Sequence, residues 1–182
     1  QRGRPRDGGR DCNTLYEMAG SLGAHWIFAP DIDEFIEPND IHIFSSLVHD
    51  TLEGRDDLLG WAFPFFYFWD DEKHYRADGD YAKCHVIRLF RYDKTLTPPK
   101  SGSHSQLCPD ELDRRYVWPA HVRMVHYGYM LKEDRERKHA YYTSRDSDPL
   151  QAGAGVKNYD HMLQVGDIRC YRADRDDWRL GK

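Results

Sequence analysis

The chain has 182 residues, 40% of them hydrophobic, 31% charged and 14% aromatic, with a formal net charge of −5. At roughly 150 residues per domain that length makes one domain or slightly more, and such aromatic content excludes disorder and collagen-like repeats. The acidic balance argues against a nucleic-acid partner, and the longest nearly apolar run, Leu58 to Trp69, contains Pro64 and is too short for the roughly 18 to 20 residues of a membrane span.

The opening residues, QRGRPRDGGR, lack the apolar core of a secretory signal. Asp11 is placed to cap a helix in which Leu15, Met18, Ala19 and Leu22 recur at helical spacing, with Gly23 as its stop. Trp26 to Ala29 is a continuous apolar run of the kind expected for a strand covered on both faces. Polarity then reverses into Asp31-Ile32-Asp33-Glu34-Phe35, so three carboxylates are expected at the carboxyl end of that strand.

A second helix is expected from Asn39 or Asp40, with Ile41, Phe44, Leu47, Val48 and Leu52 on one side and Gly54 at its end. Gly60 to Trp69 reads as a strand, with Pro64 marking a sheet edge or a bulge; its aromatic residues Trp61, Phe65, Tyr67 and Trp69 are assigned to the core. Cys84 to Tyr92 and Val117 to Met130 read as further strands, joined by a Pro/Ser/Gly-rich loop from Thr97 to Asp110. Lys132 to Ser144 reads as a charged helix with Glu133/Arg137 and Asp134/Lys138 at i,i+4, and Val156, Tyr159 and Leu163 mark a last short helix ending at Gly166.

The pattern is α/β, with a main unit over residues 1–150 and a helical or irregular extension over 151–182. Cys12, Cys84, Cys108 and Cys170 form no C-x-x-C pair, which favours a reducing, cytoplasmic location; an upstream targeting or tethering segment stays open.

Two aspartates one residue apart, just past a buried strand, can aim oxygen ligands at one hard divalent cation. Mn²⁺ or Mg²⁺ fits, keeps positions open for a diphosphate and offsets its charge. The place also suits the rule that open α/β sheets bind ligands beyond the carboxyl ends of their strands.

Trp26-Ile27-Phe28-Ala29-Pro30-Asp31-Ile32-Asp33-Glu34-Phe35-Ile36 resembles the D-x-D-E segment of family 2-like glycosyltransferases with the GT-A fold. Arg10-Asp11-Cys12-Asn13 resembles the element preceding that segment, Arg88-Leu89-Phe90-Arg91 the L-F-R strand, and Val125-His126-Tyr127-Gly128-Tyr129 the late H-Y segment. The resemblance covers roughly residues 10 to 145, in order. It implies a GT-A-like mixed sheet flanked by helices and transfer of a sugar from a nucleoside-diphosphate donor, UDP-linked by preference, to an acceptor hydroxyl, with inversion.

The resemblance also implies that Asp31 and Asp33 hold the metal and donor diphosphate, that His126 is a further metal ligand, and that Arg10, Asn13 and Lys138 lie on the donor side. Glu34 is left between ligation through water, orientation of Asp33, and a capping or surface role. An inverting transferase needs a base for the acceptor hydroxyl. Asp70, Asp71 and Glu72 are one carboxylate group available for it; Glu111, with His104 as neighbour, is preferred. Lys132, Arg135, Arg137 and Lys138 read either as a diphosphate clamp or as a solvated helix face. The family's N-terminal nucleotide-binding half has no counterpart in these residues, so the expectation is an N-terminally truncated domain. Two competing readings are a non-catalytic carbohydrate- or protein-binding remnant of the fold, and a haloacid-dehalogenase-like phosphatase, against which Glu34 after the second Asp argues.

Overall fold

The computed structural model describes residues 8–53, 57–98, 107–146, 159–164 and 168–172. Its elements in chain order are α1 (Gly8–Ser21), β1 (Trp26–Phe28), β2 (Glu34–Ile36), α2 (Ile41–Leu52), β3 (Gly60–Trp69), β4 (Asp71–Arg76), β5 (His85–Arg91), β6 (Val117–Pro119), β7 (Met124–His126), α3 (Lys132–Asp146) and β8 (Cys170–Arg172). The architecture is mixed α/β: a curled, mixed sheet runs β1-β5-β3-β4-β8, with β6 and β7 beside β3 and β2 beside β7. No helix among the described residues is long and apolar enough to cross a membrane.

Strand β3 is the hub because its two halves have different neighbours. Its first half pairs antiparallel with β5 and parallel with β6. Its second half pairs antiparallel with β4 and parallel with β7, setting Phe65 opposite Met124 and Tyr67 opposite His126. Pro64 lies in this central strand, not at a sheet edge, and the nearby register shift falls at Trp61/Ala62. It faces His85 at the last β5 pair, where β3 changes partners and a missing N–H costs little.

Consecutive side chains of β1 point to opposite faces. Ile27 joins Tyr16, Ile87, Phe90, Cys108 and Leu112 beneath α1, while Phe28 packs on Phe44 of α2. The second face is filled by Leu47, Phe63, Phe65, Leu89, Val122 and Met124. The two helices therefore cover opposite faces of the sheet.

Several expectations are corrected. Helix α1 begins at Gly8, ahead of Asp11. It buries Tyr16, with Ala19 packed beside it, and leaves Leu15, Met18 and Leu22 exposed. Its phase is set by Gly20, whose missing side chain admits the Tyr92 hydroxyl: a Cβ there would stand 2.1 Å from that oxygen. Strand β1 pairs with β5 and is an edge among the described residues; both its faces meet a helix, Ile27 buried beneath α1 and Phe28 only partly covered by Phe44. In α2, Phe44, Leu47 and Val48 pack inward while Ile41 and Leu52 face outward. The expected strand from Val117 to Met130 is two short strands, β6 and β7, followed by a turn.

Strands β2, β4 and β8 were not anticipated. Strand β4 begins at Asp71, so the acidic run Asp70 to Glu72 lies at the β3–β4 hairpin. Asp70 takes a positive φ of 65° at that reversal and accepts a 2.6 Å hydrogen bond from Arg135. Strand β8, within the expected C-terminal extension, pairs with β4 and so belongs to the same sheet. Tyr159 and Leu163 flank a short 3-10 turn; Gly54, Val156 and Gly166 lie outside the described residues.

Candidate functional site

Three side chains expected at the donor site meet at one place. Asp33 lies in the turn before β2, closed by a hydrogen bond from the Glu34 N–H to the Asp31 carbonyl. Pairing of β2 with β7 sets Glu34 opposite His126, and the Tyr127 N–H donates to the Asp33 carbonyl at 2.9 Å. The next residues turn through Gly128 into α3, whose Lys138 reaches back to donate a 2.9 Å hydrogen bond to Asp33 Oδ2. His126 Nε2 stands 3.7 Å from the same oxygen.

Gly128 makes this convergence possible. A Cβ on it would lie 2.1 Å from Asp33 Oδ2, 2.1 Å from Lys138 Nζ and 2.7 Å from His126 Cε1. No residue with a side chain fits without displacing the cluster.

The electrostatics separate the roles of the three groups. Burial alone would raise the Asp33 carboxyl, but His126 when charged, together with the Lys138 ammonium, brings it below the usual carboxylate range. Burial lowers the His126 imidazole to about 4, so near neutral pH the ring is uncharged and Lys138 is the charge that Asp33 meets. The ring is held between Tyr67 and Tyr129, each with its centroid 5.0 Å away. Its Nδ1 is buried without a hydrogen-bond partner among the described residues.

Asp31 faces a different cation. Arg88, on β5, donates from Nη2 to Asp31 Oδ2 at 2.9 Å and grips Glu34 through Nε at 2.7 Å and Nη2 at 2.5 Å. Glu34 also accepts the Asp31 N–H at 2.8 Å. Burial pushes the Glu34 carboxyl up, and Arg88 opposes that push. Glu34 is buried, which rules out the surface role; its contacts make it a brace for the 31–34 turn, whereas the Asp31 side chain is 67% exposed. Sequence reasoning placed Arg88 in a motif without a role. The available signal was a lone cation between apolar neighbours in a strand, which must be paired when buried.

The remaining expected residues are placed as follows. Arg10 and Asn13 sit at the start of α1, with Arg10 3.6 Å from Asp11. Between them, the Cys12 thiol is pushed up by burial first and then by the Asp31 and Asp11 carboxylates. Glu111 lines a separate cavity of about 600 Å³ with Arg91, Tyr92, Asp93 and Lys94. His104 lies outside the described residues. On α3, the i,i+4 pairing of Asp134 with Lys138 gives way to Asp134 with Arg137 at 2.7 Å, which leaves Lys138 for Asp33. Arg135 is buried against Asp70 and Trp69, and so belongs neither to a clamp nor to a solvated face.

For a divalent cation, the chemistry of the donors fits in part. An ionised carboxylate beside a neutral imidazole suits Mn²⁺ better than Mg²⁺. Among the described residues no three His, Cys, Asp or Glu side chains are gathered to hold a metal, because Asp31 is drawn to Arg88. Neither a protein-family model nor a curated protein sequence matches this chain.

Proposed function

We propose that the chain is part of a metal-dependent glycosyltransferase that moves a sugar from a nucleoside-diphosphate donor, UDP-linked by preference, to an acceptor hydroxyl with inversion. The observation that carries this reading is the meeting of Asp33, His126 and Lys138, drawn from a turn, a strand and a helix, at a glycine whose replacement would displace them. In it, Asp33 and His126 hold Mn²⁺ or Mg²⁺, with Asp31 available from the same turn. The metal supplies charge neutralisation for the departing diphosphate.

Lys138 is the mobile cation of the site. It hydrogen-bonds Asp33 in the absence of ligand, and its flexible stem lets the ammonium follow a phosphate oxygen. Arg88 and Glu34 fix the turn carrying both aspartates. The base for the acceptor hydroxyl is proposed, on the resemblance alone, from the stretch containing His104 and Glu111.

The test is a calorimetric titration of Mn²⁺ into the protein with and without UDP, on the wild type and on Asp33→Ala. UDP should tighten Mn²⁺ binding by at least about tenfold in the wild type and leave it unchanged in the variant. Independent binding of metal and UDP in the wild type overturns the reading.

A further inference from the structure

Beside the Asp33 cluster, on the far side of the rings that hold His126, is a cavity of about 430 Å³. Tyr67 and Tyr129 both touch His126 and both line this cavity. Tyr81 completes an aromatic corner: its ring stands at 88° to Tyr67 and 89° to Tyr129, with centroids 5.1 Å and 6.1 Å away. The volume lies in the range of small-molecule sites.

The charges on the wall are already matched. Arg76 donates to both Asp78 oxygens, at 2.7 Å and 2.8 Å, to the His161 carbonyl at 2.7 Å, and to Gln164 Oε1. Four of the five guanidinium N–H groups are thus engaged and Asp78 offsets the charge, so an anion finds little to hold it here. A cation is disfavoured too, because the Arg76 guanidinium already lies over the Tyr81 ring at 4.3 Å and would repel it. A purely apolar ligand would bury the Arg76–Asp78 pair and the Gln164 amide with nothing offered in return. The Tyr81 hydroxyl is buried with no hydrogen-bond partner among the described residues, so Tyr81 offers the cavity its ring and not its oxygen.

A neutral ring with apolar faces and hydroxyls at its edge meets each condition. We infer that this cavity is a pyranose-binding subsite, its sugar ring packed in the corner of Tyr67, Tyr81 and Tyr129 and its hydroxyls turned to Asp78 and Gln164. On the transferase reading, on which its role rests, the sugar held there is the acceptor, delivered one aromatic ring away from Asp33 and His126.

Titration with methyl glycopyranosides of glucose, galactose, mannose and N-acetylglucosamine, followed by saturation-transfer NMR without metal or UDP, tests the subsite. At least one should bind the wild type at millimolar concentration or below. Tyr81→Leu, which removes one ring of the corner and keeps apolar volume, should weaken it by about tenfold, with a thermal melt confirming that the variant is folded. Cys84→Leu, which adds apolar volume to the cavity wall, should abolish binding. No binding by any of the four, or binding indifferent to both substitutions, overturns the inference. The two proposals fail separately: coupling of UDP with Mn²⁺ in the absence of glycoside binding removes the subsite alone, and glycoside binding in the absence of that coupling removes the donor site alone.

Discussion

Lys138 and Asp33 are 105 residues apart in sequence and hydrogen-bonded at 2.9 Å, packed against a glycine at position 128. The atoms a Cβ on Gly128 would strike are the free ends of two flexible side chains and the edge of one ring. Gly128→Ala should therefore fold, with melting within a few degrees of the wild type, while the Asp33–Lys138 contact opens. Mn²⁺ binding measured by calorimetry should weaken by about tenfold or more; unchanged affinity would mean that the cluster does not hold the ion.

His126 makes folding sensitive to acid. Its ordinary value of 6.5 is lowered by burial to about 4. Between those values the unfolded chain binds a proton that the folded chain refuses, so stability falls as pH falls through that window. Between pH 7 and pH 5 the loss from this residue is about 2 kcal/mol. Asp33, held below its usual range, adds in the same direction, with its stability lost as pH falls through its folded value. Urea unfolding at the two pH values should show a drop about 2 kcal/mol smaller in His126→Asn than in the wild type. Equal drops would place the acid sensitivity elsewhere.

The elements that could be read from sequence were those whose pattern is local. Charge patterning marked α3, and aromatic density marked β3. The Asp31–Asp33 turn followed from its abrupt reversal of polarity. What could not be read depends on partners distant in the chain. The strands β2 and β7 have three residues each and exist because they pair with one another and because β7 pairs with β3. Lys138 shows an i,i+4 partner in sequence, yet its contact with Asp33 is set by the direction in which α3 leaves the Gly128 turn. Tyr67 was assigned to the core by its neighbours in an aromatic run, and only the parallel pairing of β3 with β7 brings it to His126.

Arg88 braces the turn by neutralising a buried carboxylate. The Glu34 side chain is 2% exposed, and among the described residues Arg88 is the cation paired with it. Arg88→Met leaves that carboxylate uncompensated, at a cost of about 3 to 5 kcal/mol, or roughly 10 °C in melting temperature. The double variant Arg88→Met with Glu34→Gln removes both charges and should recover much of the loss. Thermal melts of the two single variants and the double variant give the coupling directly, and simple additivity would show that the pair is not the brace described here.

The phase of α1 can be tested without any ligand. Its apolar spacing in sequence favours Leu15, Met18 and Leu22 as the buried stripe, but these are 56%, 53% and 83% exposed, whereas Tyr16 is 3% exposed. Tyr16 packs against Tyr92 with ring centroids 4.8 Å apart, and its hydroxyl donates to the Asp93 carbonyl at 3.0 Å. Tyr16→Ala should therefore destabilise the fold by about 3 kcal/mol, as large-to-small changes in a core do. Leu22→Ser should stay within about 0.5 kcal/mol of the wild type, since little of its surface is removed from water on folding. The reverse order in urea unfolding, with Leu22 costly and Tyr16 tolerant, would mean that α1 is rotated to bury the stripe its spacing favours.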